Sequence, residues 1–325
     1  AGEDEYLQKV ARTALLGSVK TDIETVAHRQ AALRDSLENK EVVRQLYQLS
    51  IEALELKQKG YWGIGLHYPL ANLHSSMEVI NVLIPKFEEL RDTANHVAPQ
   101  FNSPGWKRLF ATLSEELGEA YIEQLRGHLK TLRFRHGILV SAHLGQGNRG
   151  SDYVLRTPSD DGLNWLTRLF SRKPPSYSYT LPPRDENGAR ALSELGDRGI
   201  NLVANALAQS AEHVASFFTL LRAELAFHVC GINLSESLAR LDEPIVFPDM
   251  LQSGQQRSSF EELYDVCLAL KMRKKVVANT LDLEDSRLVI VTGANQGGKS
   301  SFLRSIGVAQ LMMQSGLFVC AKAFS

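Results

Sequence analysis

Apolar positions recur at helical spacing through much of the first 240 residues. Met77, Ile80, Leu83, Ile84, Phe87 and Leu90 share one face of a predicted helix. Ser75-Ser76-Met77-Glu78 offers that helix a capping box, the serine bonding its first turn and the glutamate reaching back. Pro85, inside the same run, predicts a kink. A second run steps by fours through Leu109, Leu113, Leu117, Tyr121, Leu125 and Leu129, with Glu115, Glu116, Glu119, Glu123 and Lys130 off the stripe, and predicts one long helix. A third, from about Ile200 to Val229, repeats Val203, Leu207, Val214, Phe217, Leu221 and Leu225. At roughly 1.5 Å per residue it predicts a rod of ~45 Å, long enough to act as a strut or lever.

Between the second and third runs the period shortens to that of strands. Ile138-Leu139-Val140-Ser141-Ala142, Tyr153-Val154-Leu155-Arg156 and Tyr177-Ser178-Tyr179-Thr180-Leu181 are separated by Gly145, Gly147, Asn148 and Gly150 and by two Pro-Pro pairs. They predict a small β insertion carried on the ends of two long helices. After Pro244 the pattern changes again and reaches Leu288-Val289-Ile290-Val291-Thr292, an apolar β-branched run expected of a buried parallel strand. A new domain is therefore expected from near residue 241.

Directly after that run stands Gly293-Ala294-Asn295-Gln296-Gly297-Gly298-Lys299-Ser300, which fits G-x-x-x-x-G-K-[ST], and Ser301-Phe302-Leu303-Arg304-Ser305-Ile306 opens a helix behind it. Glycines let successive N–H groups turn inward toward phosphate oxygens, and the helix start adds partial positive charge. In such a loop Lys299 reaches the β- and γ-phosphates and the Ser300 hydroxyl ligates Mg²⁺, so Lys299 and Ser300 are the candidate catalytic residues. The pattern arises by chance in roughly one chain in a hundred of this length, before the strand and helix are required.

Gly145-Gln146-Gly147-Asn148-Arg149-Gly150 also matches a phosphate motif, the dinucleotide-binding G-x-G-x-x-G, but that pattern arises by chance in about one chain in ten. A β-like run follows it where a dinucleotide site needs a helix, so it is expected to be a hairpin loop. Hydrolysis in the Lys299 class of loop needs a carboxylate at the end of a later strand. Ser301 to Ser325 contains no Asp or Glu, and a second strand, Leu317-Phe318-Val319-Cys320-Ala321, is only starting there. An incomplete α/β domain, inactive by itself, is expected.

Charge and cysteine content narrow the partners. A formal net charge of -1 gives no bulk attraction to nucleic acid or membrane, so any such partner must meet a local patch. Residues 126–190 hold that patch, with eleven Lys and Arg against five Asp and Glu. An excess of this kind suits sequence-independent contact with DNA phosphates or, equally, a solvated arginine-rich face. Trp165 and Phe170 lie among these bases, as a wedge or as a local core. Cys230, Cys267 and Cys320 are far apart and outside any CxxC spacing, which argues against disulfides and zinc. Neither a basic leader nor an uninterrupted apolar span is present, so a cytoplasmic protein with no membrane partner is expected.

The loop and its flanks resemble the MutS family of DNA mismatch-repair ATPases, whose loop usually reads Gly-Pro-Asn-Met-Gly/Ser-Gly-Lys-Ser-Thr. Asn295, Gly298, Lys299, Ser300, Phe302, Leu303, Arg304 and Phe318-Val319 are kept, whereas Ala294, Gln296, Ser301 and Cys320 depart, as in a divergent member. Val276-Val277-Ala278-Asn279 occupies the family's segment beside the adenine, with Val276 where an aromatic residue is frequent, and Asp22-Ile23 and Arg29-Gln30 resemble its helical core. The implied fold is mainly α with a small β insertion, MutS-like core/lever and clamp, followed by an incomplete α/β P-loop ATPase domain. The implied domains are 1–133 (core and lever), 134–198 (clamp-like insertion), 199–240 (long return helix) and 241–325 (first part of the ATPase domain).

The resemblance implies ATP and Mg as cofactors, held by Gly293, Asn295, Gln296, Gly297, Gly298, Lys299, Ser300 and Ser301 with Val276 and Asn279. It also implies double-stranded DNA bound through its backbone, with Arg149, Arg156, Arg168, Arg172 and Lys173 as candidate contacts, and a homodimer through the ATPase domain. The implied function is a DNA-binding ATPase of mismatch repair that couples ATP binding to DNA clamping. A relative acting in recombination or another DNA transaction, and a non-hydrolysing helical scaffold, are the alternatives.

Overall fold

A computed structural model describes residues 4–17, 22–60, 68–134, 137–148, 150–156, 180–182, 184–248, 259–282, 289–294 and 297–325. The described chain is mostly helical, with two small sheets. In chain order it runs α1 (Glu5–Gly17), α2 (Ile23–Glu38), α3 (Lys40–Gly60), α4 (Pro69–Val97), α5 (Pro104–Glu116) and α6 (Glu119–Thr131). A hairpin of β1 (Leu139–Leu144) and β2 (Gly150–Arg156) follows, then α7 (Glu186–Ala239). The last part holds β3 (Ser259–Leu263), α8 (Val266–Met272), β4 (Asn279–Asp282), α9 (Lys299–Ser315) and β5 (Ala323–Phe324). The chain divides into two compact units, one of residues 1–54, 86–119 and 217–325, the other of residues 55–85 and 120–216.

Several helix limits differ from the sequence expectation, each for a local reason. All six apolar residues expected on one face of α4 are buried, from Met77 at 5% exposure to Leu90 at 0%. The capping box is not used, however. α4 is already under way from Pro69, and Ser76 Oγ donates to Asn72 O at 2.8 Å, one turn back within the helix. Pro85 lies inside α4, which continues beyond it. The second run is two helices, α5 and α6. α5 closes at Leu117, and the break through Gly118 shifts the phase, so that Ile122 is buried while Tyr121 is 48% exposed.

The third run is longer than expected, because helical structure starts at Glu186 and reaches Ala239, 54 residues. An 18-residue window of α7 has a mean hydropathy of 1.3, enough by length and composition to cross a membrane, yet half of it is buried in the protein, as in a core helix.

In the unit of residues 1–54, 86–119 and 217–325, Asp22 caps α2 by accepting from Thr25 N at 2.8 Å and Thr25 Oγ at 2.9 Å, and these bonds hold its carboxyl below the ordinary range. The buried face of α2 carries Leu33 and Ser36. Trp106 Nε1 donates to Ala32 O at 3.0 Å and Ser36 Oγ at 3.2 Å, and its ring packs on Phe101, Phe110 and His228. Ser36 Oγ lies 2.9 Å from His228 Nδ1.

Burial pushes His228 from 6.5 down to about 4. Between those values the unfolded chain takes up a proton that the folded chain refuses, so this contribution is complete above pH 6.5 and is lost as pH falls toward 4. Urea unfolding is expected to show roughly 2–3 kcal/mol lost across that window, and a His228→Phe variant to lack this part of the slope.

The second core of the same unit joins Leu33 and Leu238 to Phe260, Leu263, Tyr264, Ala309, Met312 and Phe318. Its sheet has the order β4-β3-β5, with both pairings antiparallel. Two strand expectations fail here. Residues 289–292 form no strand, and Val289 and Ile290 are 42% and 75% exposed. A strand exists only through its partner, and among the described residues no strand pairs with this run. Leu317-Ala321 is buried but contributes a single antiparallel bridge, Val319 to Val246, while the paired strand β5 follows it.

α9 ends at Gly316, at φ +85°, where Leu317 N reaches back to Met312 O at 2.9 Å. The Arg29 side chain occupies the space of a Cβ there. A Gly316→Ala substitution is therefore expected to cost about 2 kcal/mol in urea unfolding.

In the unit of residues 55–85 and 120–216, the buried side chains include Leu73, Ile80, Leu83, Ile122, Leu129 and Ile200, from α4, α6 and α7. β1 and β2 pair antiparallel, with an irregularity between Ser141 and His143. A short turn at Gln146–Asn148 joins them, with Gly147 at φ +70°, so the G-x-G-x-x-G segment is a hairpin loop, as expected. Val140 packs against α7 at Gly199. The third predicted β segment lies largely outside the described residues, and Thr180 and Leu181, which are described, are not in a strand.

Candidate functional site

Gly297 and Gly298 lead into α9, and Gly298 is its N-cap at φ +85°, with open space where a Cβ would stand. A residue with a side chain resists that conformation, so glycine here lets the loop turn straight into the helix. No side chain caps α9. The amides that helix geometry leaves unpaired in a first turn, with the positive end of the helix dipole, are therefore available to an anion.

Gly297, Gly298, Lys299 and Ser301 line a cavity of about 750 Å³. Val276 and Asn279 line it too, so loop and pre-loop segment share one space. Lys274 and Lys275 add positive charge to its wall, and Leu268, Met272 and Phe302 add apolar surface. That combination suits a ligand with a flat apolar part and an anionic part.

Lys299 Nζ donates to Gly293 O at 2.7 Å and Ala294 O at 2.6 Å, closing the loop on its own carbonyls. Neutral carbonyls are weaker acceptors for an ammonium than phosphate oxygens, so a phosphate would compete for these bonds. Ser300 is exposed in the first turn of α9, between Lys299 and Ser301, and is not part of the cavity lining. Asn295 and Gln296 lie outside the described residues. The donor set fits a Mg-nucleotide: a helix start without a side-chain cap, a lysine held only by loop carbonyls in these contacts, and an adjacent hydroxyl.

Sequence reasoning missed Asp265 and Glu243 at this site, and it noted Arg304 as a kept family residue without seeing its partner. Asp265 is 4% exposed, lines the cavity, caps α8 through Leu268 N at 3.1 Å and accepts from Arg304 Nε at 2.7 Å. The same carboxylate raises the Arg304 guanidinium above its ordinary value. Glu243, 6% exposed, accepts from Val276 N at 2.7 Å and so fixes the backbone of the pre-loop segment. Each acts across a long stretch of chain, where no spacing rule operates; the one local signal is Asp265 ahead of a short apolar run, a helix-start pattern.

The remaining chemistry is sparse. Burial pushes the Cys320 thiol up to about 12, which keeps it protonated. Among the described residues no group of three His, Cys, Asp or Glu is placed to hold a metal ion.

Of the basic candidates, Arg156 ends β2, is exposed, and donates from Nε to Ser141 Oγ at 3.0 Å. Nearby in the same unit the Arg198 guanidinium lies over the Tyr153 ring at 5.9 Å. Arg149, Arg168, Arg172 and Lys173 lie outside the described residues, as do Trp165 and Phe170.

Comparison with known proteins adds a common theme. The family described as MutS2 N-terminal domain matches residues 21–241, about two thirds of the chain. DNA mismatch repair protein spellchecker 1 of Drosophila melanogaster is 37% identical over 112 residues, 34% of this chain and 12% of that protein. DNA mismatch repair protein msh-2 of Neurospora crassa is 26% identical over 222 residues, 66% of this chain and 22% of that protein. Endonuclease MutS2 of Thermus thermophilus is 38% identical over 106 residues, 28% of this chain and 14% of that protein. The chain thus matches less than a quarter of the length of each of these relatives.

Proposed function

Because the chain belongs to the MutS family, as a divergent member, we propose that it binds Mg-ATP at the Lys299 loop and uses that binding to control its hold on double-stranded DNA. Lys299 and the amides at the start of α9 take the phosphates, Ser300 takes the Mg²⁺, and Val276 and Asn279 lie beside the base. When bound, the ion screens phosphate charge. The basic stretch 126–190, including Arg149, Arg156, Arg168, Arg172 and Lys173, meets the DNA backbone. ATP hydrolysis, pairing of two copies through the ATPase domain and a place in mismatch repair are proposed for the whole protein.

The observation that carries this reading is the single cavity onto which Gly297, Gly298, Lys299, Val276 and Asn279 all open. Calorimetric titration of the 325-residue chain with Mg-ATP tests it. Saturable heat is expected, suppressed by Mg-ADP, and a flat trace overturns the nucleotide site. DNA is tested with mismatched, branched and homoduplex probes over a salt series. A steep salt dependence is expected from phosphate contacts, and equal affinity for all three probes excludes mismatch recognition.

A second reading has its own support, since the matching family is the MutS2 N-terminal domain and one relative carries the name Endonuclease MutS2. It places the protein in recombination or another DNA transaction, and preference for the branched probe over the mismatched one selects it. A whole protein that binds ATP without ever hydrolysing it selects the scaffold reading.

A further inference from the structure

The cavity beside the Lys299 loop has two walls. One is the start of α9, with Ser301, Phe302 and Ser305; the other is α8 and the segment after it, with Leu268, Met272 and Val276. Asp265 lies in the lining of the same cavity and is 4% exposed. Its two carboxylate oxygens serve different walls. Oδ1 accepts from Leu268 N at 3.1 Å, at the start of α8. Oδ2 accepts from Arg304 Nε at 2.7 Å, with Arg304 Nη2 also in contact, and Arg304 belongs to α9.

A carboxylate this buried needs a compensating charge, and a guanidinium that reaches it with two nitrogens is a directional one. The bonds that shape the phosphate loop run elsewhere, from Lys299 to Gly293 and Ala294 and from Phe302 N to Gly298 O. Breaking the Asp265–Arg304 pair therefore leaves the loop's own closure in place and removes the charged tie between the α8 wall and α9, while the core they share through Val266, Ala269, Ala309 and Met312 still joins them. That wall carries the apolar surface against which a flat ring would lie.

Resting on the nucleotide reading above, we propose that Asp265, acting through Arg304, is a positioning residue that holds the base-side wall against the phosphate loop and so sets affinity for the nucleoside part of the ligand. The phosphates are bound by a different set of atoms and do not depend on it.

Two ligands separate these roles, Mg-ATP and Mg-tripolyphosphate, which shares the phosphates and lacks base and sugar. Both are titrated calorimetrically into the 325-residue chain, as wild type, Arg304→Gln and Asp265→Asn. Asp265→Asn keeps an oxygen able to cap α8 while removing the charge. Arg304→Gln alters a side chain that is 48% exposed, and so carries the test if the buried substitution disturbs folding. Each variant is expected to weaken Mg-ATP by about tenfold and to leave tripolyphosphate within about twofold of wild type.

Unchanged ATP affinity overturns the positioning role, and so does an equal loss for both ligands, the signature of general damage to the loop. A wild type that binds neither ligand overturns the nucleotide reading itself.

Discussion

A Lys299→Ala variant of the 325-residue chain is expected to bind Mg-ATP on the order of 100-fold more weakly than wild type. The ammonium donates to Gly293 O and Ala294 O at 2.7 and 2.6 Å, beside the uncapped start of α9. A triphosphate offers charged oxygens in place of these neutral ones, and two charge-assisted bonds of about 1.5 kcal/mol each amount to the stated factor. Lys299→Met separates charge from bulk. It keeps most of the stem and is expected to lose as much as alanine does. Retention of wild-type affinity to within about twofold in both variants would mean that the lysine only closes its loop.

The second large effect concerns stability. Trp106→Ala is expected to lower the unfolding free energy by about 4 kcal/mol in a urea titration. Trp106 is 3% exposed, and its ring centroid lies 4.8 Å from that of Phe101, 5.4 Å from Phe110 and 5.3 Å from His228. Alanine empties that space and removes the donor that reaches Ala32 O and Ser36 Oγ. Trp106→Phe keeps most of the ring volume and loses the donor, so its cost is expected to be nearer 1–2 kcal/mol. The alanine variant should also lose part of the acid sensitivity due to His228, because water then reaches the imidazole. A loss below about 1 kcal/mol for alanine would show that the site collapses without penalty.

What could be read from the chain and what could not divides along the range of the interactions. The start of α9 behind Lys299 was legible because glycines, a helix start and an apolar stripe act within a few residues. The buried face of α4 and the hairpin at residues 139–156 were legible for the same reason. Limits were less so: α4 begins before Ser75, and α5 and α6 divide at Gly118, where the apolar stripe alone suggested continuity. Residues 289–292 carry strong strand composition yet form no strand, since pairing depends on a neighbour. Asp265 and Arg304, 39 residues apart, meet only after folding, and neither stands in a pattern that names the other.

Val289 and Ile290, exposed at the start of the run 289–292, have a bearing on how the chain behaves in company. Val289, Ile290, Val291 and Thr292 are β-branched, uncharged and free of proline, a composition that readily builds cross-β stacks. With backbone groups that no neighbouring strand engages among the described residues, the exposed pair Val289 and Ile290 offers an apolar edge to another copy of the chain, while Val291 and Thr292 line the cavity. Association of crowded copies through this apolar pair is expected to appear as turbidity in a concentrated sample.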